Sequence, residues 1–514
     1  MLRAAAGLSA HGIAKGDRVL VHSRNSTAML ETMWASWMIG AVWVPTNFRL
    51  TPPEVAYLAS SSGAAAHIVD PAFPDHAAAA RAANPSMRLE VALDLTPPPP
   101  AGGGRGEGAA PISRPVPTAP SPHPPPARGG GVVGWNDLAS HPNSPARPTD
   151  VDRDDPAWFF YTSGTTGRPK AAVLTHGQLQ FVINNHLADL IPGTTEHDVS
   201  LVVAPLSHGA GVHALIQVPR AAASVLLSGD RLDCEEAWRL VEQHRVSNMF
   251  TVPTILTMLT RHEAVDRYDH ASLRYVIYAG SPMYRGDQRH ALAKLGNVLV
   301  QYYGMGEVTG AITVLPAAMH SLDDAAMPVG SCGYPRTGMD VAIFGADGHQ
   351  LPGHETGEIC VRGPAVLAAY HHNPDATTKA FANGWFHTGD LGHMDERGFV
   401  FITGRASDMY ISGGSNVYPR EIEEALLAHP AVIEACVVGM PHPKWGECGV
   451  AVLVTTAPVP EPELLGRLEG RLARYKWPAR FVFWPELPKS GYGKVEKRAV
   501  KRRLGELPPL PRGG

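Results

Sequence analysis

A chain of 514 residues, 44% of them hydrophobic, has room for several cores, so two or more domains are expected. A formal charge of −4 supplies no basic field for nucleic acid, and the most apolar stretch, 34–44, is too short to cross a bilayer. Cys234, Cys332, Cys360, Cys436 and Cys448 stand far apart with no CxxC pair, which speaks against a zinc site or disulfide framework and fits a reducing cytoplasm.

Met1-Leu2-Arg3 leads into an Ala-rich helical pattern over 1–14 rather than an export signal. Strands are then expected at 18–22, 42–45 and 66–69, alternating with helices at 29–39 and 54–60. That alternation argues for a parallel sheet with helices on its faces. Residues 96–132 hold proline and glycine runs with almost no large apolar side chain. Such a stretch buries too little surface to offset its ordering entropy, so a disordered insertion is expected. Strands follow at 157–160, 201–204, 224–227, 249–252, 275–278 and 298–301, with a helix over 235–244. From Val341 the pattern turns β-rich, and past Arg405 it becomes a compact α+β tail with a helix at 420–429. The basic cluster Lys494, Lys497, Arg498, Lys501, Arg502 and Arg503 suits either an anionic substrate or a solvated helix face.

One stretch is particular: Tyr161-Thr162-Ser163-Gly164-Thr165-Thr166-Gly167-Arg168-Pro169-Lys170. It runs out of an apolar strand and back into one. Its glycines let backbone N–H groups turn inward, its hydroxyls add donors and Lys170 adds charge, which suits a polyphosphate. No Gly-Lys-Ser/Thr closes it, so it is not a Walker A loop. It resembles the phosphate-binding signature of the acyl-CoA synthetase, luciferase and adenylation-domain superfamily.

Further segments match that superfamily in order. The resemblance implies that Thr162, Ser163, Gly164, Thr165, Thr166 and Lys170 bind nucleotide phosphates. It places His208 of Ala204-Pro205-Leu206-Ser207-His208 over the acyl-carboxylate site, with Gly209, Ala210 and Gly211 leaving an open acyl pocket. Tyr278, His213, Gly310 and Ala311 are candidates to border that pocket. Gly280, Ser281 and Pro282 resemble the adenine-contacting turn. Tyr302, Tyr303, Gly304, Met305, Gly306 and Glu307 resemble the next signature, in which Tyr303 stacks on adenine and Glu307 holds Mg²⁺, a hard cation that takes carboxylate oxygen. The superfamily usually has Thr or Ser where this chain has Gly306, which leaves two readings open: a backbone N–H or a water takes the place of that hydroxyl at the α-phosphate, or the lost hydroxyl matters and Gly306→Thr quickens adenylation. Asp390 of Trp385-Phe386-His387-Thr388-Gly389-Asp390 is implied to accept from the ribose hydroxyls, and Arg405 to reach ribose or phosphate. Ser407 occupies the hinge position, where Asp or Lys is usual. Gly413 and Gly414 are implied to line the pantetheine tunnel, and Lys494 to contact the carboxylate and α-phosphate during adenylation.

The expected fold is therefore α/β: a large multi-layer N-terminal domain, 1–404, with parallel sheets and a β-rich section, plus a small mobile α+β C-terminal lid domain, 405–514. Relatives usually carry a further strand-and-helix section before the equivalent of Gly16, so an uncovered sheet edge or face is expected near the start. The expected activity is ATP-dependent conversion of a fatty or aryl acid to acyl-AMP, then to a thioester, with ATP, Mg²⁺ and coenzyme A as cofactors. Two alternatives stay open: loading of a carrier-protein thiol, and a nucleotide-binding relative without turnover.

Overall fold

The computed structural model describes residues 1–93, 132–142, 148–162, 168–229, 231–281, 283–489 and 495–506. The insertion expected over 96–132 falls, apart from Val132, outside the described residues. Two compact units form: Met1–Asp150 with Ser228–Asp230, and Val151–Leu227 with Arg231–Gly514.

In the first unit, strands Val42–Thr46, Arg18–His22, Ala66–Val69, Leu89–Ala92 and Val133–Gly134 lie side by side in that order, each pair parallel. Every residue of Val42–Thr46 and of Ala66–Val69 is buried, which is why these strands read as continuous apolar runs rather than alternating ones. The connecting helices start on side-chain caps. Ser26 accepts from the Met29 N–H at 3.0 Å before helix Thr27–Met38. Glu54 accepts from the Thr51 N–H at 2.7 Å at the start of Pro52–Ser62, and Gly63 closes that helix in the left-handed region.

The second unit holds four structural sections. Parallel strands Ala223–Leu226, Val199–Val202, Asn248–Thr251, Tyr275–Tyr278 and Leu299–Tyr303 continue antiparallel into Thr313–Leu315 and Tyr334–Pro335. Helix Cys234–His244 lays Ala237, Trp238 and Val241 on this sheet against Leu201, Met249 and Val276. Beside these run the antiparallel strands Pro156–Thr162, Lys170–Thr175 and Ala369–Tyr370. The β-rich section pairs Asp340–Phe344, Gly357–Arg362, Trp385–Met394 and Val400–Arg405, all antiparallel.

The last sheet contains Tyr410–Ser412, Ser415–Val417, Gly446–Thr455, Val432–His442 and Arg480–Phe483. Strand alternation splits its apolar side chains between two cores. Ala435 and Val437 join Ile422, Leu426 and Leu464, whereas Cys436 and Val438 join Leu487, Val500 and Leu504. The change from the β-rich section to this sheet falls just after Arg405, inside the second unit. Among the described residues no helix is long and apolar enough to cross a membrane.

Candidate active site

Strand register sets the first part of the site. Thr162 and Lys170 are cross-strand partners, so the phosphate-loop stretch leaves and re-enters the hairpin at one rung. Ser163, Gly164, Thr165 and Thr166 lie outside the described residues. The Thr162 hydroxyl donates to Glu307 Oε1 at 2.7 Å, and the Tyr370 hydroxyl donates to the same oxygen at 3.1 Å. The Leu367 N–H fixes the Glu307 carbonyl at 2.6 Å. Glu307 Oε2 accepts no hydrogen bond among the described residues. One anchored and one uncommitted hard oxygen beside a phosphate-loop stretch fit a Mg²⁺ ligand. Lys170 Nζ stands 5.3 Å from the Tyr370 ring centre, a cation–π distance. Burial, then the Glu307 carboxylate, pushes the Tyr370 phenol up, so it stays a donor.

Asp390 forms the second part. Tyr303 OH donates to Oδ2 at 2.7 Å and Arg405 Nε donates to Oδ1 at 3.0 Å. Asp390 and Arg405 are register partners on antiparallel strands, which brings residues 15 apart into one ion pair. Tyr303 is held well above its ordinary range by burial first and Asp390 next. A carboxylate has about four acceptor sites, so two donors leave room for a ribose diol. Strand alternation turns Tyr302 the other way, into a core with Phe250, Ile216 and Ile277. Tyr303, not Tyr302, therefore faces Asp390.

Glu358 clamps the strand that carries Asp390. Its Oε1 accepts from the Gly389 N–H at 2.9 Å, its Oε2 meets His387 Nδ1 at 2.8 Å, and Thr388 OH donates to the Ile359 carbonyl at 2.6 Å. Glu358, Cys360 and His387 place ligand atoms within 4.8 Å of one another. However, burial pushes the Cys360 thiol up to about 12, and both Glu358 oxygens are engaged. The group is built as a clamp rather than a thiolate metal centre.

His208 precedes helix Gly209–Gln217 and lies against the Phe160 ring, centres 4.7 Å apart. The small residues after it do not open a pocket. A Cβ on Gly209 would lie 2.6 Å from Phe250 Cζ, and one on Gly211 would lie 2.0 Å from the Leu206 carbonyl oxygen. These glycines allow the helix to approach its neighbours closely. Tyr278 is likewise interior, hydrogen-bonded to Gln301, His320 and Gln288. His213 is buried against Asn248 at 2.8 Å, and burial lowers it to about 4. Ala311 is buried, and Gly310 abuts the Tyr302 ring. Tyr278, His213 and Ala311 are thus buried, and Gly310 is half-buried.

Gly280 adopts φ 86° at the end of its strand, followed by exposed Ser281; Pro282 lies outside the described residues. Gly304 is closed in by the Gly310 backbone, 2.4 Å from where its Cβ would be, and the Met305 carbonyl accepts from the Val308 and Gly310 N–H groups. Gly306 departs from expectation. A Cβ there would lie 2.4 Å from Phe160 Cδ1 and 2.9 Å from Thr162 Cγ2, so Gly306→Thr meets a filled space and cannot simply restore a hydroxyl.

In the last sheet, Gly413 and Gly414 form the two-residue turn between Tyr410–Ser412 and Ser415–Val417, with φ 58° and 84°. Two positive φ values in a hairpin turn favour glycine at both places. The Gly413 N–H donates to the Trp445 carbonyl at 2.9 Å. Ser407 is exposed beside Asp408. Lys494 lies outside the described residues. Within the basic cluster, Lys497 is committed to Glu423 at 2.9 Å and Arg503 covers the Trp484 ring at 4.1 Å.

Sequence reading missed Tyr370, Glu358 and Phe160. Tyr370 sits on the two-residue strand Ala369–Tyr370, placed by pairing with a strand about 200 positions earlier. Nothing local announces that. Glu358 follows a Gly in an otherwise ordinary β run, and Phe160 reads as one more apolar strand residue.

Comparison with known proteins gives the family and the fold. The AMP-binding enzyme family matches residues 1–371, and the AMP-binding enzyme C-terminal domain matches 421–494. A feruloyl-CoA synthase of Amycolatopsis sp is 35% identical over 98% of this chain and 92% of its own. A long-chain-fatty-acid–CoA ligase of Mycobacterium tuberculosis is 32% identical over 99% of this chain and 92% of its own. The crystal structure of ATP-bound MatB from Rhodopseudomonas palustris superposes with a TM-score of 0.82 at 29% identity, covering 98% of this chain and 92% of that one.

Proposed function

Because this chain belongs to the AMP-binding enzyme family, we propose that it is an AMP-forming acid–thiol ligase acting on a carboxylic acid, ATP and coenzyme A. A carboxylate oxygen attacks the α-phosphorus of ATP, the bond to the β-phosphate bridge breaks, and pyrophosphate leaves. The thiol of coenzyme A then attacks the acyl carbon, its proton passes to solvent, and AMP leaves. Glu307 would hold Mg²⁺, which would supply neutralisation of phosphate charge. Lys170 and the 162–166 segment cradle the phosphates, and Asp390 with Tyr303 and Arg405 holds the nucleoside. His208 lines the acid site, and Lys494 meets the charge that develops at the α-phosphate. The buried, unpaired cysteines and a coenzyme A substrate suit a reducing cytoplasm.

We place the moving part at 405–514, turning about Ser407. Arg420 NH1 donates to the Ile402 carbonyl at 2.7 Å, a bond that crosses the hinge position and breaks on rotation. Rotation exchanges Lys494 for the Gly413–Gly414 turn, at which pantetheine enters.

One observation carries this reading: donors from four separate strands converge on two carboxylates, Glu307 and Asp390, at the ends of the phosphate-loop hairpin and the nucleoside strand. The test is a panel containing ferulate, indole-3-acetate and a long-chain fatty acid, with ATP, Mg²⁺ and coenzyme A, reading pyrophosphate and thioester. At least one acid is expected to yield both in equal amounts. Pyrophosphate without thioester from every active acid would redirect the second step to another acceptor.

A further inference from the structure

Gly306 is not glycine for the sake of its backbone, because its φ lies outside the left-handed region. Its neighbour decides. Phe160 Cδ1 and Cε1 would stand 2.4 and 2.6 Å from a Cβ at 306, distances at which something must move. The same ring is buried, meets the imidazole of His208 at 4.7 Å with a 39° tilt, and lies 5.8 Å from Trp158 on its own strand. Phe160 thus touches two signature segments about a hundred residues apart, at 208 and 306. It belongs to a third, as the residue that opens onto Tyr161-Thr162.

We propose that Phe160 is a positioning residue for adenylation: its ring takes the volume of the missing side chain at 306 and fixes the imidazole of His208 against the acid site. This rests on the reading above that His208 lines that site. The wall between 208 and 306 is then aromatic instead of hydroxyl-bearing, and positions 160 and 306 are one coupled choice. Adding a carbon at 306 drives the ring off its place and moves His208 with it. Shortening Phe160 removes the ring packed on the imidazole, leaving its contact with the Ser207 carbonyl, and vacates the space at 306.

The test is a double-mutant cycle on the full chain: Gly306→Ala, Phe160→Val and the pair together. Thermal melting needs no substrate. Gly306→Ala is expected to lower Tm by about 2–4 °C, whereas the same change in the Phe160→Val background costs nothing further. The His208 ring signal in a ¹³C-histidine spectrum, assigned by its loss in His208→Ala, is expected to shift in Phe160→Val as the aromatic ring current is removed. With an acid active in the panel, Phe160→Val is expected to raise the acid KM about tenfold while the ATP KM stays within about twofold, the split that positioning requires. Independent losses in the double variant, an unmoved His208 signal, or equal rises in both KM values would overturn the proposal. If no acid in the panel is activated, the functional reading fails, while melting and the His208 signal still decide the coupling.

Discussion

Asp390 and Glu307 each accept hydrogen bonds from two separate strands, whereas His22, His67 and His76 in the first unit crowd together with one ring nitrogen of His22, one of His76 and both of His67 meeting no partner among the described residues. His22 and His76 stack at 4.7 Å, and neither nitrogen of His67 is hydrogen-bonded there. Burial holds His22 and His67 down to about 3, so both stay neutral. The carboxylates are oriented by donors while acceptor capacity is left over, as recognition of a polar ligand requires. The histidines pack against one another, with His22 tied to the Thr46 hydroxyl and His76 to the Leu50 carbonyl. Burial of a titratable group is therefore not a mark of function; directed partners with capacity to spare are.

The comparison predicts that substitutions in the two regions move different observables. Asp390→Ala should have the largest effect, lowering kcat/KM for ATP by about 10²–10³, because it removes the acceptor proposed for the nucleoside and strands Tyr303 and Arg405. Steady-state kinetics with varied ATP measures this; a drop under tenfold would take Asp390 out of the nucleotide site. Glu307→Gln keeps the shape but loses the charge. It should raise the half-saturating Mg²⁺ concentration by about 10² at fixed ATP, and an unchanged Mg²⁺ titration would move the metal elsewhere.

Tyr370→Phe sharpens the contrast further, since it deletes only the hydroxyl that donates to Glu307 and leaves the ring beside Lys170. A charge-assisted hydrogen bond of about 1.5 kcal/mol implies about a tenfold fall in turnover. Tyr370→Leu, which also removes the ring, should be worse; equal effects would show that the ring contributes nothing, and unchanged turnover in Tyr370→Phe would show the same of the hydroxyl.

His67→Leu should have the smallest effect on turnover, within about twofold at neutral pH, and a clear effect on acid stability. The folded protein binds fewer protons at His67 than the unfolded chain, whose histidines titrate near 6.5. Stability is thus fully present above about 6.5 and is lost as pH falls from there toward 3. At pH 5 this histidine accounts for about 2 kcal/mol of the loss. Urea unfolding at pH 7 and pH 5 should show that loss shrinking by this amount in His67→Leu. An unchanged difference would mean that His67 is protonated in the fold.

The strand-and-helix order was legible because buried parallel strands leave short apolar runs between helix caps, as at 18–22, 42–46 and 66–69. Glu307, Asp390 and Arg405 were legible because each sits in an ordered motif. What was not legible depends on pairing across long sequence distances. Tyr370 reaches Glu307 only because its short strand joins the phosphate-loop hairpin. At Gly306 the sequence shows a missing hydroxyl, but Phe160 fills its place; at Gly209 and Gly211 it shows small side chains, but Phe250 and the Leu206 carbonyl take the room. Composition signals that a residue is small, but not whether its neighbours have taken the room.

The central claim is that the cluster around Glu307 and Asp390 makes an acyl-adenylate before any thiol reacts. The direct measurement is a single-turnover reaction with excess enzyme, ATP, Mg²⁺ and an acid active in the panel, first without coenzyme A and then with it, read by mass spectrometry. The account predicts a mass equal to acid plus AMP less water, formed together with pyrophosphate, and its conversion to thioester and AMP when coenzyme A is added. Thioester formed with no adenylate ever detectable, accompanied by ADP and phosphate rather than AMP and pyrophosphate, would contradict it.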